Sequence, residues 1–369
     1  MKRILAGFIG DGKAGGVDRY LLNFLEAVHE EDIQVDFLTN EVNHGLEHDL
    51  KRYGSKLFAV TTLKSPVKQY RQVCAVLKQN TYDMVYLNLS TAIECIAAFA
   101  AKKMKVPERA LHSHSSGNDR QSALSRGIYN FIHRICRLFL YKAGTVYYAC
   151  SIKAGEWLYP KKIVQSDKFE VIYNAVDRNR FYYQPDIRRE MREALALEDR
   201  YVIGHVGNFC YPKNCRFLIE VFEQIHLLDK QTVLLLIGTG VELEDIKQLV
   251  RDKNIQEAVR FLGWRSDTEK LYQAMDTFLL PSRFEGLPIV GVEAQYTGLQ
   301  CVFSSEVTKE TQIQKECYFL DLEQSPKKWA EFILDHKTYD REQVRFLEEA
   351  ENYDLEKQIS QLRRIVCRQ

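Results

Sequence analysis

Two glutamates, Glu285 and Glu293, stand in the spacing E-x-x-x-x-x-x-x-E around the run Phe278-Leu279-Leu280-Pro281-Ser282-Arg283-Phe284-Glu285-Gly286-Leu287-Pro288. The apolar residues end at Pro281, Gly286 permits a tight bend, and Pro288 suits a first helical position, where a missing N–H costs nothing. Read as strand, loop and helix, the segment brings backbone N–H groups and a helix N-terminus to one point. The chemistry suited to such a point is the holding of a phosphate or diphosphate. Glu293 falls on a helix otherwise lined by Ile289, Val290, Val292 and Ala294, where a carboxylate requires a hydrogen-bonding partner. The glutamate spacing alone is unspecific and favours Glu285 as a solvated loop residue and Glu293 as a paired helix carboxylate. Its place after a strand and across a Gly-Leu-Pro turn makes it specific.

The stretch Pro281 to Pro288, with Glu285 and Glu293, resembles the nucleotide-sugar site of retaining GT-B glycosyltransferases of family four, in particular bacterial exopolysaccharide and capsule transferases. The resemblance implies that Glu285 lies against the donor sugar. It also implies that the backbone of Phe284, Glu285, Gly286 and Leu287 holds the diphosphate, and that Glu293 takes the ribose hydroxyls.

The elements that must position these groups fit a chain of 369 residues, which is long enough for two cores. Hydrophobic residues at 46% supply those cores, and a net charge of +1 argues against a nucleic-acid binder. Nine cysteines are scattered without C-x-x-C pairs or a histidine cluster, as expected of buried apolar residues in a reducing compartment rather than of a zinc site. The N-terminus meets Asp11 and Lys13 too soon for a signal peptide, and no uninterrupted apolar run reaches the about 18 residues of a membrane span. A cytoplasmic protein is expected, working at the inner face of the cell membrane.

In the first half, strands at 3–9, 33–39, 56–60, 84–89 and 109–113 alternate with helices at 17–28, 67–79 and 92–103, the rhythm of a Rossmann-like parallel sheet. Ligands of such sheets sit at the carboxyl ends of the strands. The first strand runs into Gly10-Asp11-Gly12-Lys13-Ala14-Gly15, a literal G-x-G-x-x-G with Asp36 downstream, so an NAD-dependent oxidoreductase is one reading. Asp36 lies inside its strand rather than at the end where a ribose would be, which discounts it. The turn is then either a tight strand-to-helix bend or a phosphate-facing loop. Gly15-Gly16-Val17-Asp18 also resembles the family's Gly-Gly-x-Glu loop facing donor phosphate and acceptor, with Asp18 in place of Glu. The strand ending at His112-Ser113-His114 lacks a third ligand for a metal. The resemblance implies a histidine here against the donor sugar, His112 first and His114 second.

The segment 121–140 puts Leu124, Ile128, Phe131, Ile132, Ile135, Leu138 and Phe139 on one helical stripe, with Arg126, His133, Arg134 and Arg137 on the other side. Lys102, Lys103, Lys105, Arg109 and Arg120 make the region basic. Such a face is either simply solvated or docks on anionic lipid headgroups, as a lipid-linked acceptor would require.

A strand at 145–150 and the residues Ser151 to Leu158 lead to Tyr173-Asn174-Ala175-Val176-Asp177, which resembles the family's Asn-Gly-Val-Asp linker with Ala175 for Gly. The boundary is placed there: domains at 1–174, joined by a returning C-terminal helix at 354–369 that the resemblance implies, and at 175–353. Together they are expected as two Rossmann-like domains facing across a cleft. The second opens with a strand at 201–207, then Asn208 and Lys213. Gly207 lets a ligand approach the backbone and Lys213 can reach a diphosphate. Many members of the family carry Arg where Asn208 stands, which leaves Lys213 the main cation and Arg283 a lesser one. Gly238, after the strand at 234–237, is expected to shape the nucleotide pocket by its backbone.

No Asp-x-Asp occurs. The leaving diphosphate is therefore expected to be neutralised by amides, a helix end and Lys213, without metal or cofactor. The expected function is transfer of a hexose from a nucleoside diphosphate, UDP foremost, to a hydroxyl of a growing lipid-linked glycan. The resemblance implies retention of configuration, with Glu285 orienting the sugar rather than acting as base. A nucleotide-sugar epimerase, the NAD-dependent oxidoreductase and a non-catalytic sugar-nucleotide sensor are the rival readings.

Overall fold

The structure is a computed structural model that describes residues 1–10 and 15–367. Gly12 and Lys13 of the glycine-rich turn lie outside the described residues. Two compact units emerge, Met1–Asn174 together with the chain from Glu356, and Ala175–Leu355.

The first unit holds a sheet of seven strands, all parallel: β1 (Lys2–Gly7), β2 (Ile33–Thr39), β3 (Leu57–Ala59), β4 (Met84–Leu89), β5 (Glu108–Ser113), β6 (Val146–Ala149) and β7 (Phe169–Val171). Their spatial order is β3-β2-β1-β4-β5-β6-β7. β4, Met84-Val85-Tyr86-Leu87-Asn88-Leu89, is buried on both faces, as a central parallel strand covered by two helical layers must be. One layer packs through Tyr20, Phe24 and Val28 of helix Gly16–Val28, joined by Leu362, Ile365 and Val366 of helix Leu355–Cys367. The other packs through Val73, Leu77, Ala97 and Leu140. Polar contacts hold the terminal helix in place: Gln358 donates to Tyr173 O at 2.6 Å, and Arg363 Nε to Ala27 O at 2.7 Å.

The second unit holds six parallel strands, β8 (Tyr201–Val206), β9 (Thr232–Ile237), β10 (Val259–Gly263), β11 (Thr277–Leu280), β12 (Gln300–Ser304) and β13 (Cys317–Leu320), in the order β10-β9-β8-β11-β12-β13. Its core gathers Phe222, Leu234, Leu279, Val302 and Trp329.

Three local differences from the sequence reading have physical causes. The helix expected over 92–103 breaks into a 3-10 turn, Ala92–Glu94, and a helix, Ile96–Lys103. The Glu94 carboxylate folds back to accept the Ser90 N–H at 2.8 Å and the Thr91 hydroxyl at 3.3 Å. The polar stretch before Asp199 contains a helix, Pro185–Ala194, that buries no residue. Arg188 and Arg192 fasten it to Asp276 at 2.5 and 3.1 Å, so charge rather than an apolar stripe holds it. Helix Ala123–Leu140 is turned opposite to what its periodicity suggests: its apolar stripe is exposed, and the residues it buries are His133 and Leu140.

Candidate active site

Glu285 sits in the loop between β11 and helix Ile289–Tyr296. One carboxylate oxygen, Oε1, accepts both Lys213 Nζ and Ser282 Oγ at 2.7 Å. Only 16% of the Lys213 side chain and 13% of the Glu285 side chain is exposed, so the pair is poorly screened by water. Arg283, the lesser cation candidate, is committed elsewhere: its N–H donates to Pro212 O and its guanidinium to Tyr211 O, each at 2.7 Å, with the guanidinium 4.4 Å over the Tyr211 ring. These bonds tie the Glu285 loop to the 3-10 turn Tyr211–Lys213 and so bring Lys213 to the carboxylate. Pro288, expected at the first helical position, occupies the N-cap instead, and the helix starts one residue later at Ile289. Gly286 and Leu287 are buried and Phe284 is half-buried.

Glu293 receives the partner its apolar helix required. Tyr272, from helix Thr268–Ala274, places its hydroxyl 2.9 Å from Glu293 Oε2 and 3.2 Å from Val290 O. Burial and the adjacent carboxylate hold the Tyr272 hydroxyl well above its usual pKa, so it stays a proton donor.

The ends of β8 and β9 meet through glycines. A Cβ on Gly238, whose φ is +134°, would fall 2.0 Å from Gly207 O. The Gly238 N–H donates to Gly263 O at 2.8 Å, so this glycine shapes the site by permitting backbone contact rather than by offering its amide. A Cβ on Gly207 would lie 3.2 Å from Lys213 Cε and 3.4 Å from His205 Nε2. His205 is enclosed beneath the lysine, bonded through Nδ1 to Leu279 O at 2.9 Å, and burial pushes its pKa down to about 4. Asn208 is exposed on the loop beyond Gly207.

In the first unit a cavity of about 1010 Å³ opens at the carboxyl ends of the strands, lined among others by Asp18, Asn88, Glu94, Arg120 and Ile132. The two histidines differ in depth. His112 is wholly enclosed, 2.8 Å from the Tyr86 hydroxyl and stacked at 4.0 Å on His114, so it cannot meet a ligand as it stands. His114, beyond the end of β5, is half-buried and bonds through Nε2 to Asn88 Oδ1 at 2.7 Å, on the cavity side. Burial lowers its pKa to about 3, which keeps the ring neutral. Gly15 caps helix Gly16–Val28 at φ +109°, and among the described residues no atom lies within 4 Å of a Cβ built on Gly15 or Gly16. Asp18 accepts the Gly10 N–H at 2.8 Å, a bond that closes the strand-to-helix bend. Asp36 is fully buried and accepts the Tyr82 hydroxyl at 2.7 Å and the Lys56 N–H at 2.9 Å, which leaves it no access to a ribose. Among the described residues no group of three or more His, Cys, Asp or Glu could hold a metal ion.

The sequence reading missed Ser282, Tyr272 and Asn88. Ser282 carried a signal, since Ser-x-x-Glu is the spacing at which a serine and a glutamate meet across a turn. Tyr272 and Asn88 come from other elements and carried none.

The chain is similar to known proteins in both halves. Residues 14–180 match the family described as Glycosyltransferase Family 4, and residues 200–336 the family described as Glycosyl transferases group 1. A Bacillus subtilis protein named as the glycosyltransferase EpsF is 28% identical over 354 residues, covering 94% of this chain and 91% of its own. An Escherichia coli enzyme, UDP-Gal:alpha-D-GlcNAc-diphosphoundecaprenol alpha-1,3-galactosyltransferase, is 26% identical over 79% of this chain and 76% of its own. The crystal structure of Anabaena HepE with UDP and glucose shares the fold, with a TM-score of 0.77 at 17% identity over 99% of both chains.

Proposed function

Because the chain belongs to the family 4 glycosyltransferases, with that family's N-terminal domain and a group 1 C-terminal domain, we propose that it moves a hexose from a UDP-sugar to a lipid-linked glycan of a surface polysaccharide, with retention of configuration. The observation that carries the reading is the Glu285 carboxylate held by Lys213 and Ser282 on a loop that runs directly into a helix N-terminus. An anionic diphosphate entering there meets the helix end and the Lys213 ammonium, which can turn from Glu285 toward the phosphates. Glu285, then released from its cation, orients the sugar hydroxyls, and Glu293, held by Tyr272, takes the ribose. Charge on the departing diphosphate is met by lysine and backbone dipoles, so transfer proceeds without a divalent ion. His114 contributes a neutral donor or acceptor on the side of Asn88, which lines the cavity of the first unit. UDP and the lipid diphosphate acceptor follow the chemistry in the name of the E. coli relative.

The test is incubation with a panel of UDP-hexoses, with and without a lipid-linked acceptor, in EDTA, with product analysis by NMR. Acceptor-dependent formation of an α-linked product from an α-linked donor is expected. A changed sugar without acceptor would show an epimerase, and dependence on added Mg²⁺ would reject the metal-free reading.

A further inference from the structure

Helix Ala123–Leu140 is fastened by its polar edge. Asn130 accepts from Asn118 at 2.6 Å, and Arg137 donates to Glu156 O at 2.5 Å. His133 accepts the Ala92 N–H at 3.1 Å, bonds to Trp157 O at 3.0 Å and stacks on the Trp157 ring at 3.9 Å. These contacts fix the rotation of the helix and leave the stripe from Leu124 to Phe139 outward, with Phe131 64% and Leu138 60% exposed. An outward stripe of this size along 18 residues, about 27 Å of helix, marks an interaction surface.

The charge around it selects the partner. Residues 120–155 contain no Asp or Glu but include Arg120, Arg126, Arg134, Arg137, Lys142 and Lys153, in a chain whose net charge is +1. Arg120, Arg134 and Lys142 are exposed beside the stripe, and Lys102, also exposed, joins them by donating to Lys142 O at 2.8 Å. A second copy docked symmetrically on this face would set the same cations against each other. No described helix is long and apolar enough to cross a membrane.

We propose that helix Ala123–Leu140 is an interfacial anchor that lies along an anionic bilayer, with its apolar stripe inserted and Arg120, Arg134 and Lys142 at the headgroup phosphates. Membrane contact is thus made by the apolar face with basic flanks, not by a basic face alone. Arg120 and Ile132 also line the cavity of about 1010 Å³, so the anchored helix sets that cavity at the lipid surface. This last consequence rests on the lipid-linked acceptor proposed above; the anchoring does not.

The experiment is co-sedimentation of the full chain with phosphatidylcholine vesicles containing or lacking phosphatidylglycerol. The wild-type protein is expected to pellet with the anionic vesicles. Phe131→Glu combined with Leu138→Glu, at exposed positions and with an unchanged melting curve, lowers the partition coefficient by about tenfold or more. Arg120→Gln with Arg134→Gln weakens binding to anionic vesicles and leaves binding to neutral ones as it was. Equal pelleting of the wild type and the double-glutamate variant would overturn the proposal. So would a wild type that stays in solution as a dimer which that variant dissociates. Either failure leaves the donor chemistry standing, since turnover of a water-soluble acceptor needs no vesicle.

Discussion

Lys213 sets its ammonium 2.7 Å from the Glu285 carboxylate although the two belong to different turns, one after β8 and one after β11. A cation parked on a carboxylate in an unscreened site is a charge store for an incoming anion. Glu285→Gln keeps the shape and removes the charge. It is expected to lower kcat by about 10² to 10³ while UDP still raises the Tm. Lys213→Ala is expected to weaken UDP binding as well, because it removes the phosphate cation. Steady-state kinetics beside thermal shifts separate the two, and an undiminished rate in Glu285→Gln would remove its assigned role.

Tyr272→Phe tests the support of Glu293. The change leaves a half-buried carboxylate without its hydroxyl partner and is expected to cost about 1–3 kcal/mol of stability. Donor affinity should fall with it, because Glu293 then lacks the hydroxyl that orients Oε2. Urea denaturation and calorimetric titration with UDP read the two effects. Retained affinity would show that Glu293 does not touch the nucleotide.

Acidification should weaken the fold before the carboxylates of the surface titrate. Burial lowers the pKa of His112, of His114 to about 3 and of His205 to about 4, whereas an unfolded histidine titrates near 6.5. The unfolded chain therefore binds more protons below about pH 6.5, and stability falls with pH through that window. The His114 and His205 rings each cost about 2 kcal/mol by pH 5, and His112 acts in the same direction. Glu94, pushed up to about 7 by burial, acts in the opposite direction, gaining about 2 kcal/mol over the same descent. Three histidines outweigh one glutamate. The urea midpoint should drop between pH 7 and pH 5, and a rising midpoint would show that Glu94 dominates.

Gly238→Ala places a methyl group where Gly207 O already lies, in a backbone conformation that disfavours a side chain. A loss of at least about 1–3 kcal/mol is expected, with weaker donor binding because the ends of β8 and β9 must part. Gly16→Ala, where a Cβ meets no described residue within 4 Å, should leave stability nearly unchanged. Paired melting curves make the comparison.

The sheets were legible because parallel strands buried on both sides are continuous apolar runs, as in Met84–Leu89 and Thr232–Ile237. Helix Pro185–Ala194 was not, since its anchors are arginine bonds to Asp276, which leave no hydrophobic period. Period 3.6 revealed the apolar stripe of helix Ala123–Leu140 but carries no sign of which face meets the domain; His133 and Arg137 decided that through backbone carbonyls far along the chain. His112 and His114 stand two residues apart, so alternation gives them the same side, and their different depths were not legible in the sequence. Around Glu285 the turn chemistry was visible in the sequence, whereas the hydroxyl of Tyr272 was a matter of tertiary approach.

The closing helix has a consequence for synthesis. Leu362, Ile365 and Val366 complete a core begun by Ile4, Tyr20 and Phe24, and Lys2 Nζ bonds to Val366 O at 2.8 Å. The half of the protein that leaves the ribosome first is therefore the half that finishes last. Until helix Leu355–Cys367 has been made, the nascent sheet presents an uncovered apolar surface, while the later-made half has every strand it needs to fold at once.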